Sequence, residues 1–82
     1  MPSRLSDGLA FYCQGAHRPL LEAVKHMAQY PTERNQCYLW GYIMALLDAG
    51  VIGRDAAVFW RHLVGAMQSR LVDLDEVLSH LG

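Results

Sequence analysis

The side chains able to carry out chemistry are two thiols, Cys13 and Cys37, four imidazoles, His17, His26, His62 and His80, and a scatter of acids that includes Asp48, Asp73, Asp75 and Glu76. Thiolates and imidazoles are the usual ligands of zinc, and a structural zinc takes four of them, commonly as two closely spaced pairs. Cys13 and His17 are four residues apart and could share a helix face, but no second pair follows at ligand spacing. A tetrahedral metal site is therefore not encoded. Phosphate chemistry calls for a glycine-rich loop ahead of a helix, acyl transfer for a nucleophile elbow, and acid–base work for a matched carboxylate pair. None of these patterns is present. The expectation is a protein without enzymatic activity, cofactor or metal.

The thiols have a second possible use. Two cysteines are too few for the disulfide framework of a small secreted domain. A Cys13–Cys37 bond is one reading; two free, buried thiols in a reducing cytoplasm is the expected one. The opening Met1-Pro2-Ser3-Arg4-Leu5-Ser6-Asp7-Gly8 carries an acid and a glycine where a signal peptide has an unbroken apolar run, so no export is implied. The longest apolar stretch is too short for a membrane span of about 20 residues and is closed by Glu33, Arg34 and Asp48. A soluble, cytoplasmic protein is expected.

Five helices would have to position these groups. Leu5, Leu9, Ala10, Tyr12 and Cys13 have the spacing of one face of a short helix over residues 5–14, which Gly15 ends. Pro19 fits the first position of a second helix reaching Gln29 or Tyr30, with Leu20, Leu21, Val24, Met27 and Ala28 inward. One long helix over residues 4–30, kinked at Pro19, is the alternative. Pro31 pushes Tyr30 out of the helical region, Thr32 is a good N-cap, and Glu33 places a negative charge in the first turn of a third helix. That central helix runs to about Ala49, with Gly50 placed to end it in the left-handed conformation.

A fourth helix starts near Arg54 and Asp55, with Ala56, Trp60, Leu63, Val64, Met67 and Leu71 inward. The connection is short, so the third and fourth helices form an antiparallel hairpin. Asp73 can cap a fifth helix over Leu74–Leu81, with Glu76 as a capping-box partner and Leu74, Val77, Leu78 and Leu81 inward. The fold class is thus all-α, a single domain over residues 1–82 built as a bundle of four or five short helices around a central hairpin.

From Cys37 to Leu47 the central helix has no charged side chain, so it is apolar all round and asks for contacts on every side. Cys37, Gly41, Ala45 and Ala49 recur every four residues, a line of small side chains that lets another helix approach closely. The line either seats a helix of the same chain or forms a dimer interface with a second copy. Tyr38, Trp40 and Tyr42, with Phe59 and Trp60 on the next helix, are more aromatics than one small core takes, and one or two of them are expected to face a partner. Asp48 sits in the last turn, where the helix dipole disfavours a negative charge, and is expected to pair with Arg54 or Arg61 or to accept an N–H from the next helix.

Composition points toward self-association. At 82 residues, folding buries only about 60% of the surface the unfolded chain exposes. Yet 52% of residues are hydrophobic and 18% charged. A second copy of the chain is the commonest cover for the excess, so a homodimer is expected. Seven Lys+Arg against eight Asp+Glu give a net charge of −1, with no basic stripe to neutralise phosphates. A helix-turn-helix reading of residues 46–70 is available, but a recognition helix opening Arg54-Asp55-Ala56-Ala57-Val58-Phe59-Trp60 offers base edges little polarity. DNA binding is therefore the second reading.

The run from Cys37 to Ile52, with its aromatic-rich "GY" helix and "DAG" plus an apolar pair before the next helix, resembles small α-helical hairpin regulatory and interaction proteins of bacteria and their phages. The resemblance spans residues 37–60, and Gly53 stands where such proteins usually carry a Thr or Ser cap. It implies a protein that binds another protein, as an inhibitor, anti-activator or adaptor, and it names no target. The expected function is that of a small intracellular regulator that occludes a surface of a larger protein, helix against groove, with Tyr38, Trp40, Tyr42, Phe59 and Trp60 as candidate contacts.

Overall fold

The computed structural model describes residues 4–81. Residues 1–3, part of the amino-terminal stretch weighed against a signal peptide, lie outside it. Five helices follow one another: α1 (Arg4–Tyr12), α2 (Arg18–Gln29), α3 (Glu33–Asp48), α4 (Arg54–Gln68) and α5 (Leu74–Leu81), with no strand among the described residues. The protein is a small all-α bundle.

Local chemistry places the helix ends. The chain turns between α1 and α2 with Gly15 at φ 67°, so the two are separate helices and the long kinked one does not form. Pro19 stands in the first turn of α2. The Thr32 hydroxyl accepts a hydrogen bond from the Asn35 N–H at 3.2 Å, and the Asn35 amide donates back to the Tyr30 carbonyl at 2.8 Å. Tyr30 itself is out of the helix, at φ −133° and ψ 74°. At the start of α5, the Asp73 carboxylate accepts from the Asp75 N–H at 3.0 Å. Gly53 stands at the N-cap of α4 and supplies no side-chain cap.

Two helices end in the same motif with different residues. After α3, Gly50 at φ 74° lets the Val51 N–H reach the Leu46 carbonyl at 2.9 Å and its own N–H reach Leu47 at 3.0 Å. After α4, Arg70 holds the same position at φ 59°, with the Leu71 N–H on the Ala66 carbonyl at 2.9 Å and the Arg70 N–H on Met67 at 3.2 Å.

α3 and α4 form the most extensive helix pair, and their contacts run antiparallel, Trp40 against Arg61 and Gln36 against Gly65. α2 packs on α3, α4 and α5, and α1 on α5. Among the described residues the core is a single cluster in which Trp60, the largest fully buried side chain, is joined by Leu9, Leu20, Val24, Met27, Leu39, Ile43, Val64, Met67 and Val77, all fully buried. The Ser6 hydroxyl donates to the Glu76 carboxylate, tying α1 to α5.

Three inward assignments are corrected. Leu71 is 80% exposed, because α4 stops at Gln68 and the left-handed Arg70 swings the following residue off the buried stripe. Ala10 is exposed, since the buried side of α1 narrows to Leu9. The thiols are free but not both buried: Cys13 is half-buried and Cys37 exposed.

Candidate interaction surface

Successive residues of a helix are turned by about 100°, so the burial pattern of α3 fixes what its other sides present. Leu39, Ile43 and Leu46 form the buried side. On the opposite side Arg34, Cys37, Gly41, Met44, Ala45 and Asp48 are all exposed. The small-residue line, Ala49 included, therefore seats no helix of its own chain. A side chain built at Gly41 would meet nothing within 4 Å. Asp48 forms no hydrogen bond or ion pair with Arg54, Arg61 or any other described residue. The expected pairing across the hairpin is absent because the side chain leaves α3 on the outer side, away from α4.

The aromatics divide between the two flanks and the core. Tyr38 is 68% exposed and stacks nearly parallel to the half-buried Tyr42 at 6.3 Å, on one flank of α3. Trp40 lies on the other flank, next to α4. Its indole N–H donates to the Arg61 carbonyl at 3.1 Å, and the Arg61 guanidinium sits 5.8 Å from the ring centre. Trp60 is 1% exposed and presents nothing to a partner in this fold. Phe59 is half-buried, stacked on Tyr12 at 4.6 Å and edge-on to Trp60 at 5.1 Å. A Cβ at Gly8 would stand 2.4 Å from the Phe59 ring, so that glycine is what admits it. Of the five aromatics singled out, Tyr38 and Trp40 are the ones with substantial exposed surface.

Between α3 and α4 the outer surface is indented by a groove of about 690 Å³, with Trp40 and Gln36 on one wall and Val58, Arg61, His62 and Gly65 along α4. Leu71 stands at its end. Val58 is 49% exposed, so the groove offers three large apolar side chains to solvent, with Arg61 as its one formal charge. A smaller apolar hollow of about 290 Å³, lined by Leu5, Phe59, Leu63 and Val72, lies on the far side of His62 and Ala66. Val58 and His62 lie off the inward stripe of α4 and are exposed as that stripe implies, but nothing in the sequence singles them out as groove residues, and the stripe predicts Leu71 inside. The exposure of Leu71 follows from a left-handed arginine, which carries no sequence signal comparable to a glycine.

The groups that could do chemistry are not brought together. Among the described residues no three of the His, Cys, Asp and Glu side chains cluster at metal-binding distance. Burial pushes the Cys13 thiol above its ordinary pKa, which suppresses the thiolate. No helix among the described residues is long and apolar enough to cross a membrane. Set against protein-family models, curated proteins and solved structures, the chain matches none.

Proposed function

We propose that this chain is a small regulatory or adaptor protein, acting as a homodimer, that binds a helical segment of another protein and so occludes it. The observation that carries the reading is the α3–α4 groove, where Trp40, Val58 and Leu71 expose apolar surface around a single cation, Arg61. A groove of this composition fits the apolar face of an amphipathic helix, with an acidic residue placed to meet the guanidinium. Trp and Arg are the residue types most often found to dominate binding energy at protein interfaces. The resemblance of residues 37–60 to small helical interaction proteins points the same way. The amino end of α4 offers Arg54 and Asp55 to solvent but has Ala57 buried behind them, which leaves little for reading DNA.

The test compares proteins retained from a cell extract by the wild-type chain with those retained by Trp40→Ala and Leu71→Asp. A protein held by the wild type and released by both variants, with helical circular dichroism unchanged, supports the reading. Recovery of specific DNA in place of protein, confirmed by a mobility shift at moderate salt, reverses it in favour of a DNA-binding regulator.

A further inference from the structure

Arg34 and Asp48 stand seven residues before and seven after Gly41. At about 100° per residue the three lie within about 40° of one another around α3, on the side facing away from Leu39, Ile43 and Leu46. Both charges are exposed, and neither forms an ion pair with another described residue. Between them the same side carries Cys37, Gly41, Met44 and Ala45, exposed and uncharged, with Met44 at 38% exposure. The result is an apolar helix face with a cation at one end and an anion at the other, centred on a glycine.

Such a face complements itself in one orientation only. Two copies laid parallel put Arg34 against Arg34 and Asp48 against Asp48. Laid antiparallel, each Arg34 meets an Asp48, and the helix dipoles also oppose favourably. We propose that the occupant of this face is a second copy of the chain, docked antiparallel across a two-fold axis beside Gly41, with Arg34 of each copy paired to Asp48 of the other. This rests on the homodimer reading above and supplies its geometry. Gly41 then meets Gly41 at the axis and Cys37 of one copy stands level with Ala45 of the other, so small residues line the stretch where helix backbones come closest, with Tyr38 and Met44 at its two edges. Exposed ion pairs contribute little affinity; here they select the orientation, while the apolar face supplies the attraction. A two-fold axis perpendicular to both helices keeps like flanks on the same side. Both Trp40 flanks, and with them both α3–α4 grooves, open side by side.

The test measures the dimer dissociation constant of the full chain by sedimentation and light scattering. Arg34→Asp and Asp48→Arg should each weaken the dimer roughly tenfold, by replacing two attractive pairs with two repulsive ones; the double variant should recover wild-type affinity. A second measurement uses disulfide formation. With Cys13→Ala and Cys37→Ala in place, Gly41→Cys should oxidise to a covalent dimer. A chain retaining Cys37 alone should not, because the two Cys37 residues lie eight helical positions apart, about 12 Å along the axis, beyond the reach of about 7 Å between bridged α-carbons. Circular dichroism verifies that each variant is folded. A wild-type chain that stays monomeric at every concentration overturns both the homodimer reading and this one. A dimer indifferent to the charge exchange, or one cross-linked readily through Cys37, keeps the homodimer and overturns the antiparallel geometry.

Discussion

Trp40 and Arg61 are joined twice. The indole N–H donates to the Arg61 backbone carbonyl at 3.1 Å, while the guanidinium of the same residue lies over the ring at 5.8 Å from its centre. The first contact holds α3 against α4 through the main chain; the second holds the arginine over the groove. They separate by mutation. Trp40→Phe keeps a ring but loses the donor, and the Arg61 carbonyl keeps its place in the α4 ladder, so the loss should be about 1 kcal/mol of stability. Arg61→Ala leaves the main-chain bond and should cost about 0.5 kcal/mol at this exposed site. Urea unfolding midpoints at fixed protein concentration measure both, and equal losses would contradict the division of roles.

The two left-handed helix ends make opposite predictions. Gly50 at φ 74° meets a demand that L side chains resist, so Gly50→Ala should destabilise by about 1 kcal/mol. Arg70 already bears that strain at φ 59°, and Arg70→Gly should gain about 0.5–1 kcal/mol. For a domain of this size 1 kcal/mol corresponds to a shift of about 4–8 °C in Tm. Thermal unfolding followed by circular dichroism, again at fixed concentration, reads both signs.

Two helical glycines should also part company. At Gly65 an added Cβ would touch the Trp40 ring at 3.4 Å, an ordinary contact, so Gly65→Ala should stabilise α4 by up to about 1 kcal/mol through helix propensity. At Gly8 the same methyl would stand 2.4 Å from the Phe59 ring, which is itself wedged between Tyr12 and Trp60. Overpacking costs about 1–3 kcal/mol and outweighs the gain in propensity, so Gly8→Ala should be destabilising. In a Phe59→Leu background the penalty should shrink, and a double-mutant cycle on unfolding midpoints checks it.

The helices were legible in the sequence because their punctuation is local: Pro19, Thr32, Gly50 and Asp73 each act within a turn of the backbone they satisfy. Where a face points is a tertiary matter. α3 is apolar all round, so periodicity could not say that Leu39, Ile43 and Leu46 go inside while Cys37, Gly41 and Ala45 stay out. On α4 the stripe is clean enough to put Trp60 inside and leave Phe59 off it, but what covers Phe59 is a contact with Gly8, far away in sequence. For Asp48 the dipole argument requires compensation but cannot say from which side it comes, and the partner it suggests across the hairpin is not there. Its exposure leaves that compensation to solvent or to another chain.

The two thiols give a prediction that needs no mutation at first. In dilute solution Cys37, exposed on the outer side of α3, should react with an aromatic disulfide reagent ahead of Cys13, which is half-buried and held in its protonated form by desolvation. The same shift has a consequence for stability. Because burial raises the folded pKa of Cys13, the unfolded chain releases that proton at lower pH than the native chain does. Native stability is thus unaffected by this group below the ordinary thiol range, and it falls as pH climbs from that range toward the raised folded value. Cys13→Ala should remove this part of the slope while lowering stability at neutral pH through lost packing. Urea midpoints measured from neutral to alkaline pH for the wild type and the variant decide the matter: parallel curves would show that the thiol's burial does not govern its titration.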